Sequence, residues 1–216
     1  HDSLLTLITS LAVWQLAGDL KSRRRAVLLG LTLALGILSK VPFPVFIIGP
    51  GVVFAWRNLR GRVALVNAGL AAATFLLATG WYLLPNVHTI TEYVDGSHEP
   101  QFFQLGESFR AYFQIIPRTI PYMMAGLAAA PLAWRLMPSS GPLVASLASS
   151  VCVGTLILFY FDPWSRYLVP AFPMAGLLTT LGLTAALRRL GQRHTNLARG
   201  GLAVAAVFLL GMYVRD

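Results

Sequence analysis

The chain has 216 residues, of which 56% are hydrophobic and only 12% are charged, and its mean hydropathy is +0.66. A soluble domain carries about a quarter of charged residues, so this composition excludes an ordinary soluble domain and indicates an integral membrane protein. The formal net charge of +9 comes from short basic tracts between apolar segments, the pattern of the positive-inside rule. Nucleic acid is therefore excluded as a partner, and membrane lipids are the expected surroundings.

The single cysteine, Cys152, lies in an apolar run, so the sequence offers neither a disulfide framework nor a Cys/His metal cluster. We interpret Cys152 as a small core residue. The chain begins with His1 and Asp2 rather than methionine, and no charged leader with a cleavage site follows. We therefore expect a single transmembrane domain, residues 1–216, that is a piece of a longer protein.

The first predicted membrane helix covers the apolar residues 3–19, and a basic tract at residues 21–25 follows it. Because basic tracts mark the cytoplasmic side, His1 and Asp2 are expected on the extracytoplasmic side. Asp2 precedes the helix as an N-cap whose carboxylate matches the helix dipole. Two interpretations of Asp2 stay open, a capping residue and a functional acid.

Residues 26–56 form one long span or a hairpin of two short ones, with Lys40 and Pro42 near the middle. A single span would put the basic tracts at residues 21–25 and 57–62 on opposite faces, so the charge pattern predicts the hairpin. Its first arm of about 15 residues rises only about 22 Å, against roughly 30 Å of hydrocarbon, which leaves Lys40 below the outer surface. An amine at that depth is a functional hypothesis, and snorkelling to water is the alternative.

A fourth span is predicted over residues 63–84, and the polar residues 85–115 are predicted to be an extracytoplasmic loop. Within this loop, residues 107–116 alternate polar and apolar side chains at helical spacing, which indicates an amphipathic helix on the membrane surface. The histidines and acids of the loop match no standard metal signature, so we interpret them as solvated surface.

Four further spans are predicted over residues 117–136, 142–161, 167–187 and 200–214, which gives an all-α, polytopic transmembrane bundle of about eight helices. The 17 lysines and arginines lie on the cytoplasmic side of this scheme except for Lys40, Arg110, Arg118, Arg166 and Arg215. Of the eight acidic residues, only Asp19 lies there. Polar residues with functional potential therefore gather on the extracytoplasmic face.

Asp162 and Pro163 predict a helix N-cap followed by proline at the first helical position. Arg166 would then lie in the first helical turn, where the dipole disfavours a cation by roughly 0.3–1 kcal/mol. A phosphate or carboxylate would offset this cost, and the planar guanidinium suits phosphate oxygens. The alternative is an arginine that snorkels to the membrane surface or pairs with Asp162.

Three stretches lie on the predicted extracytoplasmic side: HDSLL at residues 1–5, LGILSK at 35–40 and SRYLVPAFP at 165–173. Their order along the chain, their spacing and their common side of the membrane are considered together. Together they resemble the polytopic glycosyltransferases of the GT-C fold, specifically the dolichyl-phosphate-mannose protein mannosyltransferases and their bacterial aminoarabinose-transferase and lipopolysaccharide-sugar-transferase relatives. The stretches are similar to the acidic start of the helix after the family's second outer loop, to its Gly-rich arm ending in Thr/Ser-Lys, and to its Arg-Tyr-Leu-x-Pro-x-x-Pro segment. The resemblance covers most of residues 1–187.

The resemblance implies transfer of a sugar from a polyprenyl-phosphate donor to a lipid or protein acceptor at the outer face of the cell (inner) membrane. Lys40 and Arg166 would contact the carrier phosphate and stabilise it as a leaving group. Asp2 would act as a second acidic residue that lines the catalytic site or holds a divalent cation. Further substrate-binding residues implied by the resemblance are Asp162, Tyr167 and His1. The family's catalytic base, an acid in the first outer loop, would lie upstream of this chain.

Two other classes of protein fit the same composition. A multi-pass transporter or channel for an anionic or lipid-linked substrate would line its pathway with the same cations. Inverted repeats with matched broken helices would favour it, and the sequence shows no such internal symmetry. A structural membrane subunit would tolerate alanine at Lys40 and Arg166.

Overall fold

A computed structural model describes residues 2–40, 43–59, 61–96, 119–161 and 169–191 of the chain. These ranges contain helices and connecting turns and no strand, which confirms the all-α prediction. The helices are α1 (Asp2–Ala17), α2 (Arg23–Ser39), α3 (Phe43–Asn58), α4 (Arg62–Gly96), α5 (Thr119–Leu136), α6 (Gly141–Phe161) and α7 (Ala171–Gly191), with a short 3₁₀ turn, Pro138–Ser140, before α6.

Within the described residues, three helical segments are long and apolar enough to cross a membrane: Arg62–Thr89, Pro138–Leu156 and Ala171–Arg189. Ser3–Ala17 in α1 is a shorter apolar helix. A helix needs about 20 apolar residues to cross the roughly 30 Å of hydrocarbon. These lengths agree with the composition in indicating a membrane protein.

The α2–α3 segment is a hairpin, as the charge pattern predicted. Arg57, near the end of α3, donates from Nη1 to the carbonyl of Ala17 at 3.0 Å, and Arg25, in the first turn of α2, donates from Nη1 to the carbonyl of Asp19 at 3.4 Å. The start of α2 and the end of α3 therefore lie at the same place, beside the end of α1. The chain turns back on itself at Lys40.

Helices α5 and α7 run parallel and pack through small residues. A Cβ built on Gly126 would lie 2.7 Å from the carbonyl oxygen of Ala175, and one built on Gly182 would lie 2.7 Å from the Cβ of Ala129. Small residues let two helix backbones approach closely, which is the usual basis of helix association in membranes. Glycine is therefore required at both positions.

Helix α6 joins α5 to α7 and packs antiparallel against α3. The hydroxyl of Ser150 donates to the carbonyl of Phe46 at 2.7 Å, and the backbone of Gly154 lies against the same phenylalanine ring. Gly49, one turn later in α3, contacts Ser149. The fully buried Phe46 thus joins α3 to α6 and belongs to the central core shared with α5 and α7.

These directions place the described arginines at one end of the bundle, which we call the basic end. Its members are Arg23, Arg24, Arg25, Arg57, Arg62, Arg135, Arg188 and Arg189. The opposite end, which we call the Lys40 end, contains the start of α1, the break between α2 and α3, the end of α6 and the start of α7. The predicted gathering of basic tracts is therefore observed wherever those tracts are described.

Helix α4 is longer than predicted, because it continues beyond residue 84 to Gly96. The polar side chains of this extension stabilise helix rather than loop: the Asn86 amide donates to the carbonyl four residues earlier at 2.8 Å, and His88 Nδ1 lies 3.3 Å from Glu92 Oε1. At 1.5 Å per residue, the 35 residues of α4 extend about 52 Å, well beyond a bilayer core. The predicted amphipathic helix at residues 107–116 lies outside the described residues.

Helix α7 begins at Ala171, later than residue 167, where the predicted span starts. The helix start predicted at Asp162 and Pro163 lies outside the described residues. Val169 and Pro170 form a turn, because a residue before proline is disfavoured in the helical region. Pro173 is tolerated in the first turn of α7, where a backbone N–H has no helical acceptor. Pro170, which the predicted span placed inside the helix, therefore lies in the turn just before it.

The interpretation of Cys152 as a core residue is also wrong, because its side chain is exposed. The two preceding residues, Ser150 and Val151, are fully buried. Successive helical residues are about 100° apart around the axis, so Cys152 falls on the outer face of α6.

Candidate functional site

Lys40 forms the break between α2 and α3. It is the C-cap of α2, with extended backbone (φ −167°, ψ 139°), and its N–H donates to the carbonyl of Gly36 at 3.3 Å. The Phe43 N–H donates in turn to the carbonyl of Lys40 at 3.2 Å. Lys40 is half-buried, and its side chain extends from the C-terminus of α2. The last carbonyls of the helix form the negative end of its dipole there.

The position of Lys40 depends on contact between Gly36 and Phe43. A Cβ on Gly36 would collide with the Phe43 ring, so only glycine lets the ring lie against α2. Phe43 is 1% exposed and packs against Leu5 and Ile8 of α1. This phenylalanine therefore holds the α2–α3 break against the start of α1.

The structure brings two of the predicted site residues to the same end of the bundle. Asp2 is the first residue of α1, and Lys40 lies at the break that Phe43 joins to that helix. The remaining predicted site residues, which lie outside the described residues, are His1, Asp162, Arg166 and Tyr167. The segment with Asp162, Arg166 and Tyr167 is flanked by Phe161 and Val169. Phe161 is the last residue of α6, Val169 lies in the turn before α7, and both of these positions are at the Lys40 end.

An apolar cavity of about 430 Å³, wide open to the protein surface, lies among helices α1 to α4. Its lining extends from Leu20, near the basic end, to Ile37 and Phe43, which lie on either side of Lys40 in the sequence. All its lining side chains are apolar, and its volume falls in the usual range for ligand cavities. Sequence reasoning missed this cavity, since it is formed by helices whose packing the sequence pattern does not specify.

At the basic end, side chains from α3 and α4 bind the last carbonyl of α1 and two carbonyls of the turn that follows it. The donors and acceptors are Arg57 to Ala17 at 3.0 Å, Asn58 to Gly18 at 3.4 Å and Asn67 to Leu20 at 2.8 Å. The last carbonyls of a helix lack partners within it, so the bond from Arg57 satisfies such a carbonyl at Ala17, and the two asparagines satisfy carbonyls of the turn. The polar Asn67 within an apolar run was the sequence signal of this joint, and it is 3% exposed.

The Asp19 carboxylate forms ion pairs beside these hydrogen bonds. Its Oδ2 lies 2.8 Å from Lys21 Nζ, and its Oδ1 lies 3.8 Å from Arg57 Nη2. The hydrogen bond and charge of Lys21 lower the pKa of the Asp19 carboxyl, and the charge of Arg57 lowers it further. Asp19 is therefore ionised at neutral pH and has a structural role in this joint.

In the part of the chain that the structure describes, no three His, Cys, Asp or Glu side chains form a group that could hold a metal. The divalent cation implied for Asp2 stays a prediction. Searches against protein-family models, curated proteins and solved structures found no match for the chain. The resemblance to GT-C glycosyltransferases therefore depends on the three sequence stretches that carry it.

Proposed function

We propose that the chain is part of an integral-membrane glycosyltransferase of the GT-C type, with about eight membrane helices. It transfers a sugar from a polyprenyl-phosphate donor to a lipid or protein acceptor on the extracytoplasmic face of the cell (inner) membrane. The observation that carries the proposal is the position of Lys40, at a helix break on the end away from the arginines and beside an apolar cavity.

The depth of Lys40 supports a phosphate ligand. The 17 residues of α2 extend about 25 Å, less than the roughly 30 Å of hydrocarbon, so a helix that starts at the basic end leaves Lys40 short of the far surface. A cation at that depth gains from an anionic partner. A phosphate that leaves a sugar develops negative charge, which a fixed ammonium stabilises.

The apolar cavity supports a lipid-linked substrate. A polyprenyl phosphate combines a long apolar chain with one anionic group, and the cavity combines an apolar lining with Lys40 beside one of its ends. A pathway for free anions would require polar lining groups. The cavity therefore favours a lipid carrier over the anion channel considered from the sequence.

The other predicted residues have defined parts in this proposal. Arg166 binds the same phosphate as Lys40, and Asp2 lines the site or holds a divalent cation. Additional substrate contacts come from His1, Asp162 and Tyr167. The resemblance implies a catalytic base in the family's first outer loop, and no residue of this chain is matched to it.

An activity assay tests the proposal. The full-length protein is expected to transfer sugar from a polyprenyl-phosphate donor, and the purified 216-residue piece is expected to show no turnover, because it lacks the first-loop acid. Comparable turnover by both would place the base within this chain, with Asp2 or Asp162 as the candidate. If neither the full-length protein nor the piece turned over any of a range of lipid-linked sugars, the proposed transferase activity would be contradicted.

The proposal also fixes which end faces the cytoplasm. Cys152, the only cysteine, is replaced by alanine, and single cysteines are then introduced at the exposed Ser22 of the basic end or the exposed Thr91 of α4. In intact cells, a membrane-impermeant maleimide is expected to label the cysteine at Thr91 and to spare the one at Ser22 until the cells are opened. Strong labelling at Ser22 in intact cells would reverse the orientation and remove the extracytoplasmic site.

A further inference from the structure

Helices α2 and α4 both begin at the basic end, and their first residues line one shallow depression. Arg23 is the first residue of α2, and Arg62 is the first residue of α4. Together with Val63, Val66 and Asn67 they surround a volume of about 230 Å³. Two exposed guanidinium groups from separate helices thus share one small basin.

The charge in this depression is uncompensated by the described residues around it. Among them, neither Arg23 nor Arg62 makes an ion pair or a side-chain hydrogen bond, and Asp19 is engaged by Lys21 and Arg57. Both arginines also lie in the first turn of a helix, where the dipole is unfavourable to a cation. An anion bound between the two side chains would relieve both effects.

An apolar stripe runs along α4 from this depression. Val63, Val66, Leu77, Trp81 and Leu84 recur at helical spacing and are between 58% and 82% exposed. From the depression to the tryptophan, α4 extends about 28 Å, which matches the roughly 30 Å of a bilayer core. Basic residues at one end of an exposed apolar stripe of this length match the two parts of a phospholipid.

We propose that Arg23 and Arg62 bind the phosphate of an anionic phospholipid, whose acyl chains lie along the α4 stripe. Basic pockets between membrane helices are suited to anionic head groups. Two guanidinium groups without a nearby described carboxylate would repel the amine of a zwitterionic head group, so the site selects a lipid with net negative charge. This site lies at the end opposite Lys40 and does not depend on the proposed transfer reaction.

The test compares lipid binding by native mass spectrometry of the full-length protein in detergent, with dioleoyl phosphatidylglycerol and dioleoyl phosphatidylcholine as probes. The wild type is expected to bind phosphatidylglycerol about tenfold more tightly, and the double variant Arg23→Gln/Arg62→Gln is expected to lose most of this preference. The control, Arg188→Gln/Arg189→Gln, removes equal charge from the same end outside the depression and is expected to keep the preference.

Equal losses in the two double variants would overturn the site, because the preference would then belong to the whole basic end. Absence of any preference in the wild type would also overturn it. Displacement of phosphatidylglycerol by inorganic phosphate at equal concentration would assign the depression to a free anion instead of a lipid. If the glutamine variant fails to fold, Arg23→Lys/Arg62→Lys keeps the charge and loses the bidentate fork, and its preference is expected to be intermediate.

Discussion

Replacement of Lys40 by alanine in the full-length protein is expected to lower the affinity for a polyprenyl phosphate, or the turnover, by roughly tenfold or more. In a partly dry site a charge-assisted hydrogen bond contributes about 1.5–3 kcal/mol, whereas exposed ion pairs contribute about 0–1 kcal/mol. Lys21 provides the matched control, since its ammonium pairs with Asp19 and its side chain is 83% exposed at the other end. Lys21→Ala is expected to leave both quantities nearly unchanged.

If Lys40 and Arg166 bind the same phosphate, the effects of replacing the two residues are not independent. Arg166→Ala is expected to cost a similar factor, and the double variant is expected to lose less than the product of the two, because a phosphate released by one cation can shift toward the other. Arg166→Lys is expected to restore activity only in part if the guanidinium binds in a bidentate way.

A double-mutant cycle measured by polyprenyl-phosphate binding decides this point. Strictly additive losses would separate the two residues into different sites. No loss at Lys40 would leave it as a snorkelling side chain near the negative end of the α2 dipole. For Arg166 two interpretations would then stay open: an anion-binding residue, and an arginine that snorkels to the membrane surface or pairs with Asp162.

The hairpin and the end on which Lys40 lies could be predicted from the sequence because charge constrains them. Arg25 and Arg57 had to share a side of the membrane, and in the structure both donate to carbonyls at the end of α1. This constraint depends on where charges fall along the chain and needs no knowledge of packing.

Other features depended on contacts that a linear pattern does not contain. The polar residues after position 84 were interpreted as loop, yet side-chain bonds within α4, such as the one from Asn86 to the carbonyl four residues earlier, maintain the helix in a solvated extension. The start of α7 at Ala171 depends on Pro170, which disfavours helical backbone at Val169. The apolar cavity arises from the packing of helices that share no sequence signal.

Gly36 shows the same limit at the candidate site itself. The sequence marked it only as part of a Gly-rich arm, whereas the structure places its backbone against the ring of Phe43, on the far side of the break. A contact between the ends of two helices depends on how the helices are placed, which propensities do not determine. Lys40 could be predicted as a candidate site residue, but the contact between Gly36 and Phe43 that positions it could not.

Replacement of Gly36 by alanine is therefore expected to destabilise the protein, although glycine-to-alanine changes inside helices normally stabilise by about 0.5–1 kcal/mol. The added methyl group would overlap the buried Phe43 ring, and overpacking of this kind costs about 1–3 kcal/mol. Gly69 in α4 is the matched control, because a Cβ built there meets nothing within 4 Å. Gly69→Ala is expected to be neutral or stabilising.

The measurement is thermal unfolding of the full-length protein in detergent, together with polyprenyl-phosphate binding. A displaced Phe43 ring would move the α2–α3 break, so Gly36→Ala is expected to weaken phosphate binding as well as stability, whereas Gly69→Ala is expected to change neither adversely. Gly36→Ala combined with Phe43→Leu removes ring atoms from the overlap and is expected to recover part of both losses. If Gly36→Ala unfolds at the same temperature as Gly69→Ala and binds the phosphate normally, the Phe43 contact does not position Lys40, and the link between the hairpin and the candidate site is lost.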